Sequence, residues 1–237
     1  MTSSLPRLYL LDVEGTVAPI SLVYEQLFPY ARKHFAEFLR EHSADAAVEA
    51  DLALLTEENR ADPEAPQIVD VGYSNQTISY LNWLMDRDRK STALKSLQGR
   101  ILKKGFESGQ LKGTLYADVP AALDRWATSA QVAIYSSGSV DAQRLLFRYS
   151  IFGNMTSRIV SYFDTRTGAR TASSSYSAIA AAMNLQPHQV LFLSDLVREL
   201  DPAREAGFHT RLVVREGNEP VSVTHGHIAI HSFEGTL

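Results

Sequence analysis

Cysteine is absent from the 237 residues. That excludes disulfides, thiolate metal ligands and a thiol nucleophile, while saying little about compartment. Lysine is missing from everything after Lys112, so a cation needed in the second half must come from elsewhere in the side-chain inventory. No apolar run approaches the roughly 18 residues of a membrane span. The N-terminal MTSSLPRLYLL carries too short an apolar run for a signal peptide. Basic residues number 23 against 27 acidic ones, a net charge of -4, so no positive field favours nucleic acid or an anionic membrane. A cytoplasmic protein with no nucleic-acid and no membrane partner is the expectation, and a monomer. Repeats and low-complexity tracts are also lacking.

What is present is enough apolar sequence, 45% of the residues, to bury a core across one or two domains. Three short runs predict buried parallel strands: Leu8–Leu11 (LYLL), Val132–Tyr135 (VAIY) and Val190–Leu193 (VLFL). None alternates, as expected of strands covered on both faces. Each ends abruptly in polar residues, DVEGT, SSGS and SD respectively. A fourth run, Thr210–Val214, extends the sheet. Helical patterns lie between, near Pro120–Ala127, Val140–Phe147 and Ser175–Met183. This alternation predicts a doubly wound α/β domain with its ligands outside the carboxyl ends of the strands.

Residues 21–112 have another character. Val23, Leu27, Ala31, Phe35 and Leu39 recur every fourth residue, and Leu22, Phe28 and Phe38 widen the stripe. Further helices are predicted at Ala46–Glu58, Tyr80–Met85 and Thr92–Phe106, with the acidic stretch Glu57–Glu64 as a solvated loop. The expected organisation is a core of residues 1–20 and 113–237, with residues 21–112 inserted as a helical cap that lids the strand ends. Simple packing of these helices on the sheet is the alternative.

The stretch YLLDVEGTVAPI poses the chemical question. On an extended strand, residues two apart share a face, so Asp12 and Glu14 can reach one pocket. Gly15 permits a sharp turn, and Thr16 offers a hydroxyl and backbone donors to an anion. Taken alone, the stretch fits a catalytic pair and a structural cap equally well. The other strand ends tip the balance. Ser136, Ser137, Gly138 and Ser139 present hydroxyls and amides ahead of a helix whose N-terminus favours phosphate, although Ser139 could simply cap that helix. Asp195 adds a carboxylate at the same sheet edge. Asp12, a backbone carbonyl near Glu14, Asp195 and waters form an oxygen-only set suited to magnesium.

With these residues the chain resembles the haloacid-dehalogenase superfamily, whose motifs pair an Asp-x-(Asp/Glu)-Gly-Thr strand end with a Ser strand end, a later cation and a late acidic strand end. LLDVEGTVAPI, LFPYA, DRKSTALKSLQG, GQLKG, YSSGSVDAQRLLF, YFDTRTGA and FLSDLVREL together resemble its enolase-phosphatase family of methionine salvage. The resemblance implies that Asp12 is the nucleophile and forms an aspartyl-phosphate. It implies that Glu14 is the general acid–base, that Asp12, Asp195 and the Glu14 carbonyl bind Mg2+, and that Ser136 and Ser137 hold the phosphoryl group. The substrate implied is a small phosphorylated metabolite, 2,3-diketo-5-methylthiopentyl-1-phosphate, which is enolised and then dephosphorylated to an acireductone. A phosphatase for another small phosphorylated metabolite and a non-catalytic relative are the rival readings.

One departure stands out. The family places a lysine shortly after the FDT–G segment, and here that position is Arg170, in TRTGARTASSSY. Its planar fork can bridge a carboxylate and a phosphate, so it is expected to substitute for the lysine. Arg166, Lys95 and Lys104 are the other candidates for the phosphate-facing cation. Trp83 and Trp126 are expected as packing residues. His225, His227 and His231 are expected to face solvent, in an edge strand or tail, rather than to bind metal.

Overall fold

In the computed structural model, which describes residues 5–69, 72–221 and 226–235, six strands form one fully parallel sheet. They are β1 (Leu8–Leu11), β2 (Gln131–Tyr135), β3 (Ser161–Phe163), β4 (Val190–Ser194), β5 (His209–Val213) and β6 (Ile228–Ile230). Their order across the sheet is β3-β2-β1-β4-β5-β6. The order reverses between β1 and β4, the position at which doubly wound folds open a crevice at the strands' carboxyl ends. Register aligns Leu11 with Ile134 on one side and with Leu193 on the other. Asp12, Ser136 and Asp195 therefore leave the sheet at nearly one level.

The apolar runs become strands because both faces are covered. Leu8 and Leu10 face a cluster with Tyr135, Tyr176, Phe192, Leu200 and Phe208. Tyr9 points the other way and stacks on Trp126, ring centroids 4.5 Å apart. Trp126 is thus the packing residue expected. β3 and β6 differ from β1, β2 and β4 in having no buried position, which is why no apolar run marks them as core.

The chain divides into two compact units, residues 1–23 with 112–237, and residues 24–111. The described residues of the second include four α-helices, α1 (Phe28–His42), α2 (Ala46–Ala61), α3 (Asn75–Asp86) and α4 (Thr92–Glu107). It has its own core, in which Phe35, Leu39, Leu55, Leu81 and Leu97 are fully buried. The expected solvated loop at Glu57–Glu64 is corrected: α2 continues to Ala61. Glu58 there accepts hydrogen bonds from Ser91 Oγ and the Thr92 N–H, the start of α4, while Asp62 and Glu64 pair with Arg89. Trp83 is half-buried beneath Arg87.

In the first unit the helices are α5 (Val119–Trp126), α6 (Val140–Arg148), α7 (Ser173–Ala182) and α8 (Val197–Glu205). α8 carries an internal proline, Pro202, and no helix is expected there from the sequence. Among the described residues no helix is long and apolar enough to cross a membrane. His225 lies outside the described residues. His231 is exposed as expected, but His227 is buried, a correction. Its ring nitrogens meet Thr210 Oγ1 at 2.8 Å and Asp201 Oδ1 at 3.1 Å, partners that offset its removal from water.

Candidate active site

β1 hands the chain to Asp12, whose N–H donates to the Leu193 carbonyl at 2.9 Å and ties the turn to β4. The side chain of Asp12 is buried, and its Oδ1 accepts from the Val13 N–H at 2.7 Å. The N–H groups of Thr16, Val17 and Ala18 all turn back to the Val13 carbonyl. This corrects one expectation: the Thr16 amide closes the turn instead of facing an anion. Its Oγ1 is buried without a partner. Gly15 has φ +72, and a Cβ there would lie 2.3 Å from Asp195 Oδ2. Backbone conformation and the approach of that carboxylate both demand glycine.

Glu14 meets Ser136, whose Oγ donates to Glu14 Oε2 at 3.1 Å across the gap between β1 and β2. Burial and the neighbouring Asp12 charge raise the Glu14 carboxyl's pKa, with Arg170 and Ser136 opposing. Ser136 also accepts from the Gly138 N–H at 3.1 Å. Gln143 pins the loop by donating to the carbonyls of Gly138 and Phe163. Ser137 is exposed, and Ser139 caps α6 by accepting from the Ala142 N–H. Of the serines expected to hold phosphate, Ser136 thus joins the carboxyl cluster, while Ser137 stands at the open edge.

Arg170 arrives on the loop before α7. Tyr176 Oη donates to the Arg170 carbonyl at 2.7 Å, and Ser175 Oγ and Tyr135 Oη hold the Ala169 and Gly168 carbonyls. The guanidinium, with its side chain 10% exposed, ion-pairs with Asp12 and with Glu199 through Nη2. Burial alone would lower its pKa, but Asp12, Glu199 and Glu14 outweigh that and raise it. Arg166 instead has a largely exposed side chain paired with Asp164. Lys95 is exposed on α4. Lys104 meets His42 at 2.6 Å, beside a groove of about 410 Å3 within the second unit.

Glu199 is the residue that the sequence reading misses. It sits one helical turn beyond Asp195, a spacing visible in SDLVREL. Ser194 Oγ lies 3.3 Å from Asp12 Oδ2 and 3.2 Å from Glu199 Oε2. Burial first, then the charge of Asp12, push both Asp195 and Glu199 up to about 8. Four carboxyl groups thus gather about one guanidinium that pairs with two of them, and Asp195 Oδ1 is buried with no hydrogen-bond partner among the described residues. Excess negative charge and a bare acceptor are the conditions that a divalent, oxygen-seeking cation relieves. Asp12 and Asp195 fit such an ion. Among the described residues no group of three or more His, Asp or Glu side chains forms a metal cluster.

The chain matches a family described as haloacid dehalogenase-like hydrolase over residues 6–207. It is 48% identical over 228 residues, 95% of either chain, to a protein of Synechococcus elongatus named enolase-phosphatase E1. A protein of the same name from Leptospira borgpetersenii serovar Hardjo-bovis is 44% identical over 231 residues, covering 96% of this chain and 97% of its own. Among solved structures, the UTR4 protein of Saccharomyces cerevisiae superposes with a TM-score of 0.78 at 36% identity, over 97% of this chain and 99% of that one.

Proposed function

The chain belongs to the haloacid dehalogenase-like hydrolases, and from that premise we propose that it is a magnesium-dependent enolase-phosphatase. Its substrate is 2,3-diketo-5-methylthiopentyl-1-phosphate, enolised and then dephosphorylated to 1,2-dihydroxy-3-keto-5-methylthiopentene in methionine salvage. It works in the cytoplasm as a monomer on this small phosphorylated metabolite, with residues 21–112 as the inserted helical cap. The observation that carries the reading is the ion pair of Arg170, its side chain largely withdrawn from solvent, with buried Asp12, beside Glu14 and Asp195.

In this mechanism an Asp12 carboxylate oxygen bonds to phosphorus as the phosphorus–oxygen bond to the substrate's carbon chain breaks. Glu14, whose carboxyl burial and the Asp12 charge shift toward the protonated form, gives its proton to the departing oxygen. It then takes a proton from water as that water attacks phosphorus, which releases inorganic phosphate and restores Asp12. Arg170 orients the Asp12 carboxylate and offers its remaining N–H groups to the phosphoryl oxygens. Ser136 fixes the Glu14 carboxyl, and Ser137 contributes a phosphoryl contact. Asp12, Asp195 and the Glu14 carbonyl would hold magnesium, which would supply neutralisation of phosphate charge and polarisation of a substrate carbonyl. Glu14 is also the candidate for moving the proton in the enolisation.

The test is to supply the diketo phosphate and follow enol absorbance together with free phosphate. Both should rise. Phosphate release from simple esters without turnover of the diketone would overturn the substrate. Asp12→Asn should lose at least about a thousandfold in phosphate release with its circular dichroism intact. An Arg170→Ala variant at wild-type rate would remove Arg170 from the reaction.

A further inference from the structure

Asn218 lies in the turn after β5, outside every motif that the sequence marks. Its side-chain nitrogen donates to the Gly15 carbonyl at 2.9 Å and to the Val213 carbonyl at 3.4 Å. Two acceptors at one end fix which end is nitrogen, because an amide oxygen in that position would face two other oxygens. Oδ1 is then the opposite end, and it is buried with no hydrogen-bond partner. Asp195 Oδ1 is in the same condition. The two side chains flank one glycine: a Cβ on Gly15 would lie 2.3 Å from Asp195 Oδ2 and 3.0 Å from Asn218 Oδ1. Asp195 Oδ2 and the unpartnered Asn218 Oδ1 thus both approach the turn that carries Asp12 and Glu14.

A buried acceptor without a partner calls for a donor. Among the described residues no donor reaches Asn218 Oδ1. The Gly15 N–H is spent on the Ala18 carbonyl, and the Arg215 guanidinium is committed to Asp118 and the Thr16 carbonyl. A magnesium ion keeps several of its waters when carboxylates bind it, and each such water is a strong double donor. We infer that Asn218 is a positioning residue of the cation site, its Oδ1 accepting a hydrogen bond from a water of the magnesium ion that Asp12 and Asp195 hold. The inference rests on the magnesium reading above and assigns Asn218 two separate jobs. The nitrogen anchors the Gly15 turn, and the oxygen orients the ion's hydration.

These jobs separate in a titration of metal-free, full-length protein with magnesium chloride, read by calorimetry beside the metal-free melting temperature. Asn218→Ala removes both ends and should weaken magnesium binding about tenfold, the usual scale for partners that touch a metal through another group. Asn218→Asp keeps an acceptor oxygen and loses the donor. It should bind magnesium at least as tightly as wild type while melting lower without metal. If Asn218→Ala keeps wild-type affinity and only melts lower, or if Asn218→Asp weakens binding as alanine does, the residue anchors the turn alone and the inference is overturned. Should the alanine variant fail to fold, the affinity of the aspartate variant decides. Wild-type protein that binds no magnesium, or Asp195→Asn that binds it unchanged, would instead sink the cation reading itself.

Discussion

Ser194 has one hydroxyl proton and two carboxyl groups within hydrogen-bonding reach, Asp12 and Glu199. The proton can serve only one, so the other carboxyl must bring its own. Glu199 is the one suited to do so: buried, near Asp12, and sharing Arg170 with it, the group is pushed up to about 8. One guanidinium cannot neutralise Asp12 and Glu199 together in a place that excludes water. The consequence for stability has a definite sign. The folded chain keeps the Glu199 proton up to about pH 8, while the ordinary value is 4.5. Folding therefore takes up a proton in that window, and its contribution is full below the lower value and lost as pH rises through the upper one. Urea unfolding of the metal-free protein between pH 5 and pH 8.5 should show stability falling, by up to about 1.4 kcal/mol per pH unit from this group. Asp195 acts in the same direction. Glu199→Gln should flatten the slope by its own share. Identical slopes in variant and wild type would mean that Glu199 is already ionised in the folded chain.

At the scale of elements, the most consequential small contact in the second unit joins two helices end to side. Ser91 accepts from the Leu94 N–H at the start of α4, and Glu58 of α2 takes the Thr92 N–H at 2.8 Å. A helix start left with these donors unpaired loses about 0.5–2 kcal/mol, and a carboxylate there also favours the helix dipole. Glu58→Ala should therefore lower the unfolding free energy by about 1–2 kcal/mol, measured by urea denaturation, with phosphate release little changed. No loss of stability would show that solvent caps α4 equally well. Glu58 also marks where sequence reading stops, since its acidity suggested a loop while its partner lies 34 residues away. β1, β2 and β4 were legible because burial on both faces leaves an unbroken apolar run. β3 and β6 have no buried positions and left no such run. α8 was hidden by its charges and by Pro202, and is held against β4 and β5 by Leu200 and Ala203. Asp12 and Asp195 could be picked out as acids at strand ends, and Arg170 as a cation in a recognisable segment. For Glu199 only the spacing from Asp195 could be read, and Asn218 carried no signal, because what distinguishes them is a shared partner and an unmatched oxygen, which exist only in three dimensions.

Over the whole molecule, each of the two units has a hydrophobic cluster of its own among the described residues. Asp12, Glu14, Ser136, Arg170, Asp195, Glu199 and Asn218 all belong to the unit built from residues 1–23 and 112–237. A ligand stabilises the structure it binds by mass action, and amides exposed only when that structure opens slow by the factor 1 + [L]/Kd. Units that open separately need not share the gain. Magnesium alone should therefore slow hydrogen exchange by up to about a hundredfold, at a hundred times its Kd, in β1, β2 and β4 and the turns that follow them. Amides of α1 to α4 should exchange at their metal-free rates, because none of their residues supplies a ligand. The measurement is hydrogen exchange read by mass spectrometry on the intact protein, with and without magnesium chloride. Equal slowing in both units would show that they unfold as one cooperative body, and the separate cores would then have no separate stability.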